Sequence, residues 1–322
     1  MHSLRHIALI AFDGVQILDV TGPASVFAAA NEAAGRASYQ IHILSPRGGV
    51  VASGSGVRLL TEAIGEADPA AFDTVLVGGG NKAGLSALAR DASFADWMAR
   101  ACANARRYGS VCTGAFALAH LGLVRNHRVA THWEGTALLA RAYPALTVDP
   151  DALYVEDGKV WTSAGITTGI DMCMALVARD LGDAVANAVA RMLVVYARRP
   201  GYQSQFSPVL GAQAKATHGF AALLDWIGEH LDQPLDVALL ADRAGMSRRS
   251  FHRKFTDATG ETPARFIETL RLDRARALLA TVASLKEVAV RTGYATPGQL
   301  SKAFLRRFGV SPALFRDMHG QA

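Results

Sequence analysis

The sequence predicts two domains of different fold class: an α/β domain with a parallel sheet, followed by an all-α domain that contains two helix-turn-helix units. Up to residue 197, short apolar runs alternate with helical patterns, an order that is typical of a parallel sheet covered by helices on both faces. From residue 217 onward, a pattern typical of a helix-turn-helix occurs twice. Residues 198–216 are turn-rich and lack apolar periodicity, so we expect a linker there.

The α/β pattern begins with an apolar run, residues 7–12, that ends at Asp13 and Gly14. Periodicity and turn residues predict further strands at residues 39–44, 74–77 and 108–111, and helices at residues 25–34 and 94–107. Ligands of parallel sheets bind beyond the carboxyl ends of the strands. The candidate binding segments are therefore those that follow predicted strands: residues 13–23, 78–81 and 112–114.

Cys112 is the residue of greatest chemical interest in this domain, because it stands in a small-residue turn between a predicted strand and a predicted helix. This order is typical of a nucleophile elbow, and a helix start stabilises a thiolate. Asp19 is placed to hydrogen-bond or orient the sulfur, and Gly78 and Gly79 offer backbone N–H groups for an oxyanion. The alternative is that Cys112 is a small buried apolar residue, and the residues alone leave both readings open.

His132 is a second candidate, since it follows a short predicted strand and precedes Trp133. It either faces the pocket or serves as a structural hydrogen-bonding group, and the sequence leaves both open. The histidines show no metal-ligand spacing. The run of three glycines that starts at Gly78 is not followed by the lysine or serine of a phosphate-binding loop. We therefore expect neither a metal nor a cofactor.

The repeated pattern of the second domain matches closely between its two copies. The first copy runs over residues 239–255 and the second over residues 288–304. In each copy an alanine allows close helix approach, a glycine allows the sharp turn, and a hydroxyl residue, Ser247 or Thr296, is placed to cap the next helix. Two such units in one chain are suited to two successive major grooves of DNA.

The second helix of each copy has an apolar face and a polar face. Phe251 and Phe255 are four residues apart and predicted to be buried, as are Leu300 and Phe304. The candidate DNA-binding residues are the polar ones that remain, with Thr296: Arg248, Arg249, His252, Arg253 and Lys254 in the first copy, and Gln299, Ser301, Lys302, Arg306 and Arg307 in the second.

Within this set we expect Arg249 and Gln299 to read bases, and Lys254, Lys302 and Arg306 to contact phosphate. The alternative for a single copy is a solvated charged face on a small helical bundle. Two copies at matched spacing favour DNA.

The formal net charge of +5 lies mainly in the second domain, where residues from Thr217 onward include 15 Lys and Arg against 11 Asp and Glu, a difference of +4. A basic excess there favours binding to a polyanion. Three cysteines argue against a disulfide framework. No apolar run has the length of a membrane span, and the N-terminus lacks a signal-peptide layout, so we expect a cytoplasmic protein.

Both domains resemble known families. Residues 217–317 resemble the DNA-binding domain of AraC/XylS-type transcription regulators, through the two repeats, the connecting segment 265–276 and the closing segment 308–312. Residues 5–195 resemble the ThiJ/PfpI superfamily, a flavodoxin-like sandwich related to class I glutamine amidotransferases. The segments that carry the second resemblance are residues 12–23, 77–80, 110–116, 130–133 and 162–171.

The pairing of these two domains resembles that of GlxA-type transcription regulators, in which the first domain is taken as a small-molecule sensor. The resemblance implies a regulator that binds double-stranded DNA and an effector, with the effector in a crevice formed by Asp19, Cys112, Thr113, Gly79 and neighbouring residues. It also implies a homodimer formed through residues 1–197.

An enzymatic alternative also follows from the resemblance. Isocyanide hydratases of the ThiJ/PfpI superfamily share the residues at Asp19, Cys112 and Thr113. Their likeness implies a cysteine hydratase or hydrolase with an appended DNA-binding module, in which Cys112 is the nucleophile and Asp19 the acid/base.

Overall fold

The computed structural model describes residues 4–195, 199, 201, 205, 220–279, 284–308 and 310–319. The chain divides into two compact units, residues 1–205 and 206–322, and the division falls within the predicted linker. Of that linker, residues 198–216, the described residues are Arg199, Gly201 and Gln205, and the rest lies outside the described residues.

The first unit is built on a mostly parallel sheet, as predicted. The strands of the described residues are β1 Arg5–Ile10, β2 Tyr39–Ser45, β3 Gly49–Ala52, β4 Arg58–Ala63, β5 Thr74–Val77, β6 Arg107–Val111, β7 Arg128–Val129, β8 Thr147–Val148, β9 Tyr154–Asp157 and β10 Val160–Ser163. The main sheet has the order β3-β4-β2-β1-β5-β6-β10-β9, and β7 pairs with β8. The inner strands are parallel, while β3 and β9 at the edges are antiparallel to their neighbours.

Helices pack against this sheet. They are α1 Ile17–Ala33, α2 Lys82–Arg90, α3 Ala92–Asn104, α4 Gly114–His120, α5 Thr136–Ala142, α6 Thr167–Leu181 and α7 Asp183–Met192. Helices α1, α6 and α7 pack against one another, and α2 packs against both α3 and α4. Short side chains cap two of them: Asn81 accepts from the N–H of Gly84, and Asp91 accepts from that of Phe94. Both contacts satisfy backbone donors at a helix start.

Two predicted boundaries in this unit are wrong. The helix predicted at residues 25–34 begins at Ile17 instead, so that Asp19 lies in its first turn and Pro23 inside it. Proline removes one backbone hydrogen bond from a helix, but here burial of Val20 and Phe27 on the same helix outweighs that loss. The helix predicted at residues 94–107 ends at Asn104, and the next strand already begins three residues later.

The second unit is all-α within the described residues. Its helices are α8 Ala221–Glu229, α9 Val237–Arg243, α10 Arg248–Thr259, α11 Pro263–Leu279, α12 Leu285–Arg291, α13 Pro297–Phe308 and α14 Pro312–His319. Helices α9 and α10 form the first helix-turn-helix, α12 and α13 form the second, and α11 lies between them in sequence. Gly245 and Gly293 at the two turns have positive φ, 63° and 70°, which explains why both copies carry glycine there.

The predicted caps and cores of both copies are confirmed. Ser247 Oγ accepts from the N–H of Ser250, and Thr296 Oγ1 accepts from that of Gln299. The apolar side chains predicted to be buried are fully so: Phe251, Phe255, Leu300 and Phe304. No helix of the described chain is both long and apolar enough to cross a membrane.

Candidate functional site

Asp19 is a buried carboxylate of the first unit, with 2% of its surface exposed. Its Oδ2 accepts a hydrogen bond from the N–H of Gly79 at 2.9 Å, and its Oδ1 accepts one from the N–H of Ile166 at 2.9 Å. Gly79 follows β5 and Ile166 follows β10. Asp19 therefore joins the start of α1 to the loops at the carboxyl ends of two parallel strands.

Cys112 follows β6 directly and has a φ of 58°, a left-handed conformation that non-glycine residues rarely adopt. Its N–H donates to the carbonyl oxygen of Ser163 at 3.0 Å, and its own carbonyl oxygen accepts from Thr131 Oγ1 at 2.9 Å. Helix α4 begins two residues later. The predicted sharp bend between strand and helix is therefore present, and its strained conformation is of the kind that clusters at functional sites.

Two glycines lie against Cys112 with no room for a side chain. A Cβ atom on Gly79 would lie 2.7 Å from the Cβ of Cys112, and one on Gly165 would lie 2.6 Å from its Sγ. Gly165 also has a φ of 100°, which favours glycine. Enclosed in this way, the cysteine keeps 7% of its surface exposed.

The Cys112 thiol and the Asp19 carboxylate lie close enough for each group to shift the pKa of the other. Burial, with the negative charge of Asp19, raises the pKa of Cys112 to about 12, although the N–H of Thr113 lowers it. Burial also raises the pKa of Asp19 to about 6, against the hydrogen bonds from Ile166 and Gly79. At pH 7 the pair therefore holds one proton, on the sulfur. The predicted thiolate stabilisation is wrong, because burial and Asp19 outweigh the helix start.

This thiol–carboxylate pair is suited to proton transfer. An electrophile that reaches Sγ meets a thiol with a neighbouring carboxylate, Asp19, that can accept its proton. The same pair also offers a non-covalent ligand one donor and one ionised acceptor. The geometry therefore fits either a binding site or a nucleophilic one.

The prediction that Gly78 and Gly79 offer free N–H groups to an oxyanion is wrong. The N–H of Gly78 donates to the carbonyl oxygen of Ile10 at 3.1 Å, and that of Gly79 donates to Asp19. The N–H of the next residue, Gly80, donates to Thr113 Oγ1 at 3.0 Å. These glycines position the site through their backbone.

Thr113 and His132 differ in how closely they join the pair. Thr113 is the next residue after Cys112, and its hydroxyl bonds to Gly80 across the site. The His132 ring lies beside other partners: its Nδ1 is 3.7 Å from a carboxylate oxygen of Glu134, and its ring centroid is 5.6 Å from that of Trp133. The structure thus brings Asp19, Cys112 and Thr113 together. His132 is linked to them through the residue before it, Thr131, whose hydroxyl donates to the carbonyl oxygen of Cys112.

Sequence reasoning missed three residues that touch the pair: Thr131, Gly165 and Ile166. Ile166 has a φ of 55°, a conformation that costs a β-branched residue about 1–3 kcal/mol, and it donates to Asp19 from there. The signal for Gly165 was present: small residues follow the β-rich run Val160–Ser163 and end at this glycine. Nothing in the sequence indicated the strain at Ile166.

The candidate DNA-binding face of the first helix-turn-helix is exposed on α10. Each of the following side chains is exposed: Arg248, Arg249, His252, Arg253 and Lys254. Within residues 220–279, 284–308 and 310–319, none of these side chains forms an ion pair. The face is therefore available to phosphate and base edges.

The corresponding face of the second copy, on α13, differs. Gln299 and Lys302 are exposed and Ser301 is half-buried. Arg306 donates to a carboxylate oxygen of Glu268, on α11, at 2.5 Å, while the guanidinium of Arg307 lies 5.8 Å from the ring centroid of Phe308. Of the cations predicted here, Lys302 is the one that lies nearest the helix start, and Arg306 already has an ionic partner.

Comparison with known proteins agrees with both units. Residues 5–179, more than half of the chain, match the DJ-1/PfpI family, and residues 240–318 match a helix-turn-helix domain family. Over 312 residues the chain is 30% identical to the HTH-type transcriptional regulator GbdR of Pseudomonas aeruginosa, covering 96% of this chain and 83% of that protein. Over 297 residues it is 31% identical to the HTH-type transcriptional regulator GlxA of Rhizobium meliloti, covering 91% and 89%.

Two further likenesses cover the first unit. Isonitrile hydratase of Pseudomonas putida is 33% identical over 199 residues, which cover 62% of this chain and 81% of that protein. The crystal structure of a ThiJ/PfpI family protein from Pseudomonas syringae superposes with a TM-score of 0.56 at 24% identity, covering 70% of this chain and 87% of that one. At this identity the structural match shows the fold alone.

Fold and comparisons together define a DNA-binding transcription regulator with an AraC-type helix-turn-helix domain. The chain belongs to the DJ-1/PfpI family, among the HTH-type transcriptional regulators of the GlxA type.

Proposed function

We propose that the first unit of this regulator senses a small metabolite at the Asp19–Cys112 pair and that the bound state alters how the second unit engages DNA. The observation that carries the proposal is the pair itself: a buried ionised carboxylate beside a thiol, between two backbone segments with positive φ. A charge is costly to bury and strain is costly to keep. Here the surrounding loops hold both the buried charge of Asp19 and the strained backbone of Cys112 and Ile166 in place.

The ligand that best fits this site is small and carries a hydrogen-bond donor for Asp19. A nitrogenous metabolite with an N–H or ammonium group meets that requirement, because it would add a donor to a carboxylate that already accepts two N–H bonds. Binding would also relieve part of the cost of burying the charge.

Thermal unfolding of the full chain with a panel of small amines, amides and amino acids tests this proposal. We expect at least one compound to raise the Tm, since a ligand that binds the folded state stabilises it. Asp19→Asn should remove that rise, and Lys302→Ala, in the other unit, should leave it intact. A compound whose Tm shift survives Asp19→Asn binds elsewhere, and a panel without any shift contradicts the donor requirement.

For the DNA-binding unit we propose that α10 and α13 enter two successive major grooves, about one helical turn or ~34 Å apart. Arg249 and Gln299 would read base edges, and Lys254 and Lys302 would contact phosphate. A fragment of residues 217–322 should bind genomic DNA fragments at low salt in a mobility-shift assay. Absence of any shift by that fragment would overturn this assignment.

We further propose that the protein works in the cytoplasm as a homodimer formed through residues 1–197. A dimer doubles the number of grooves read and so increases affinity without new contacts to each site. Light scattering of that fragment should give twice its chain mass. A monomer at micromolar concentration contradicts the dimer.

A second candidate function is a cysteine-dependent hydratase or hydrolase activity of the first unit. The specific observation in its favour is the thiol–carboxylate pair, together with the similarity to an isonitrile hydratase. Turnover of isocyanides, aldehydes and amides by the purified chain, with Cys112→Ala as control, tests it. Turnover lost in that variant supports catalysis, whereas a ligand response that persists in it supports non-covalent sensing.

A further inference from the structure

Three described residues that follow the last strands and helices of the first unit are bound back onto it: Arg199, Gly201 and Gln205. We call them the strap residues. They belong to the segment through which the chain continues into the DNA-binding unit. Arg199 contacts helix α6, whereas Gly201 and Gln205 contact the loop around residues 151–154, and Gln205 also contacts Thr131.

Arg199 is bound to the N-terminal part of α6, at Thr167 and Asp171. Its Nε donates to Asp171 Oδ2 at 3.0 Å, its Nη2 donates to the same oxygen at 2.6 Å, and its backbone N–H donates to Oδ1 at 3.1 Å. Nη2 also donates to Thr167 Oγ1 at 2.8 Å. Asp171 is 4% exposed, so Arg199 supplies the charge that this buried carboxylate needs.

Gly201 and Gln205 are bound to the loops that contain Thr131 and residues 152–153. The carbonyl oxygen of Gly201 accepts from the N–H of Leu153 at 2.7 Å. Gln205 Nε2 donates to the carbonyl oxygens of Thr131 at 3.0 Å and Ala152 at 3.1 Å. The space at Gly201 is closed as well, since a Cβ there would lie 2.4 Å from the carbonyl oxygen of Tyr154.

These contacts converge on Cys112 from two directions. Thr167, which Arg199 binds, directly follows Ile166, the donor to Asp19, and Gly165, which lies against the sulfur. Thr131, which Gln205 binds, holds the carbonyl oxygen of Cys112 through its hydroxyl. One peptide bond therefore joins Thr167, bound by Arg199, to Ile166, and one hydrogen bond joins Thr131, bound by Gln205, to Cys112.

We propose that Arg199 and Gln205 are positioning residues that couple the Asp19–Cys112 site to the segment leading to the DNA-binding unit. We expect a molecule that engages the pair to displace Gly165, Ile166 or Thr131, because Gly165 lies against the sulfur, Ile166 donates to Asp19 and Thr131 donates to the carbonyl oxygen of Cys112. Displacing them strains or releases the bonds to Arg199 and Gln205. Conversely, releasing the strap residues loosens the enclosure of Cys112, since coupling between two sites is reciprocal.

The biological role of this coupling rests on the proposed sensing function. The coupling itself, between the strap residues and the enclosure of Cys112, can be tested without effector or DNA. The rate at which iodoacetamide alkylates Cys112 in the full chain, followed by peptide mass spectrometry, reports how well the site is enclosed. Cys102 and Cys173 are buried elsewhere in the same unit and serve as internal controls. An unchanged rate in the strap variants defeats the coupling, while failure of the ligand panel defeats sensing alone.

Arg199→Ala should accelerate alkylation of Cys112 by about tenfold, the effect of losing a charge-assisted hydrogen bond, with Cys102 and Cys173 unaffected. Gln205→Glu should act in the same direction, because it places a carboxylate against two carbonyl oxygens. The matched control is Arg179→Ala, which breaks a surface ion pair with Glu156 near the other end of α6 and should leave the rate unchanged.

Two results would overturn the coupling. One is a Cys112 rate equal to that of the wild type in both strap variants. The other is an equal increase in the alkylation rates of Cys102, Cys112 and Cys173, which would show that the strap contacts stabilise the whole unit rather than the site. If Arg199→Ala fails to fold, Gln205→Glu alone decides, since it replaces one hydrogen-bond donor and keeps the size of the side chain.

Discussion

In the first unit the functional charge is buried, whereas in the second unit it is exposed. Asp19 lies inside the fold, bound by two backbone N–H groups, while Arg249 and Lys254 extend from α10 into solvent. A buried charge keeps a defined geometry but costs free energy of folding. An exposed charge costs little and attracts phosphate over a distance that salt screens.

A second pair of sites gives the same contrast. In the first unit Asp180 is buried and bound by both Arg106 and Arg107. In the second unit the cations of α10 have no such partners within the described residues. Substitutions at the first kind of site should therefore act on stability, and substitutions at the second kind should act on DNA binding. The predictions below test that separation.

Gly165→Ala should have the largest effect on stability, lowering the free energy of unfolding of the first unit by about 3–5 kcal/mol. Its new Cβ would lie 2.2 Å from the Cβ of Cys112, in a conformation with φ of 100°. The control is Gly158→Ala, which also has positive φ but has open space around it. Thermal unfolding followed by calorimetry should show the first unit destabilised and the second unchanged. Equal losses in both variants would show that the contact with Cys112 does not matter.

Asp19 should make the first unit less stable as the pH rises. Its pKa is raised from 3.8 to about 6 in the folded state, so between pH 4 and 6 the folded chain binds more protons than the unfolded chain. Stability therefore falls with rising pH in that window, by about 3 kcal/mol from this group.

Comparison with Asp19→Asn isolates this contribution, because other carboxyls contribute with the opposite sign. The pKa values of Asp73 and Asp149, for example, are lowered by hydrogen bonds and nearby arginines. The difference in unfolding free energy between wild type and Asp19→Asn, measured by urea titration at several pH values, should shift in favour of the variant from pH 4 to pH 7. A pH-independent difference would show that Asp19 has an ordinary pKa.

Local sequence patterns predicted the elements that depend on near neighbours. The strand Thr74–Val77 and the burial of Phe251 and Phe255 follow from periodicity, and the glycine turns follow from backbone sterics. The edge hairpin formed by β3 and β4 was not predicted, since Val50 and Leu60 are exposed there and give no alternating burial. Because these edge strands are largely exposed, their sequence lacks the alternation of apolar and polar residues that predicts a strand.

The sequence analysis grouped Asp19, Cys112 and Thr113 but missed Thr131, Gly165 and Ile166, and it did not predict the electrostatics of the site. The local rule that a helix start stabilises a thiolate concerns residues next to Cys112. The opposing terms come from burial and from Asp19, which lies 93 positions earlier in the chain. The N–H of Gly79 was likewise taken by a residue 60 positions away. Such partners depend on the tertiary fold, which a local pattern does not contain.

On the exposed side of the comparison, Arg249→Ala should weaken binding to the preferred DNA sequence by about 1–3 kcal/mol and relax the preference at one base pair. Lys254→Ala should instead weaken binding on all sequences and lower the salt slope by about one. Fluorescence anisotropy with selected and random duplexes at several salt concentrations separates the two. Neither change should alter the Tm of the first unit. A change in that Tm would contradict the separation of roles.

The smallest expected effect concerns Arg306, a predicted DNA-binding residue that is paired with Glu268. Glu268→Gln removes a carboxylate that competes with phosphate for this guanidinium. A surface ion pair is worth about 0.2–1 kcal/mol, so DNA affinity should rise by about two- to fivefold, with little change in stability. The matched control is Glu287→Gln, which breaks the exposed pair with Arg291 on α12. If Arg306 contacts phosphate, the first variant should also steepen the salt dependence and the second should not. Equal effects would assign the gain to net charge and leave Arg306 outside the interface.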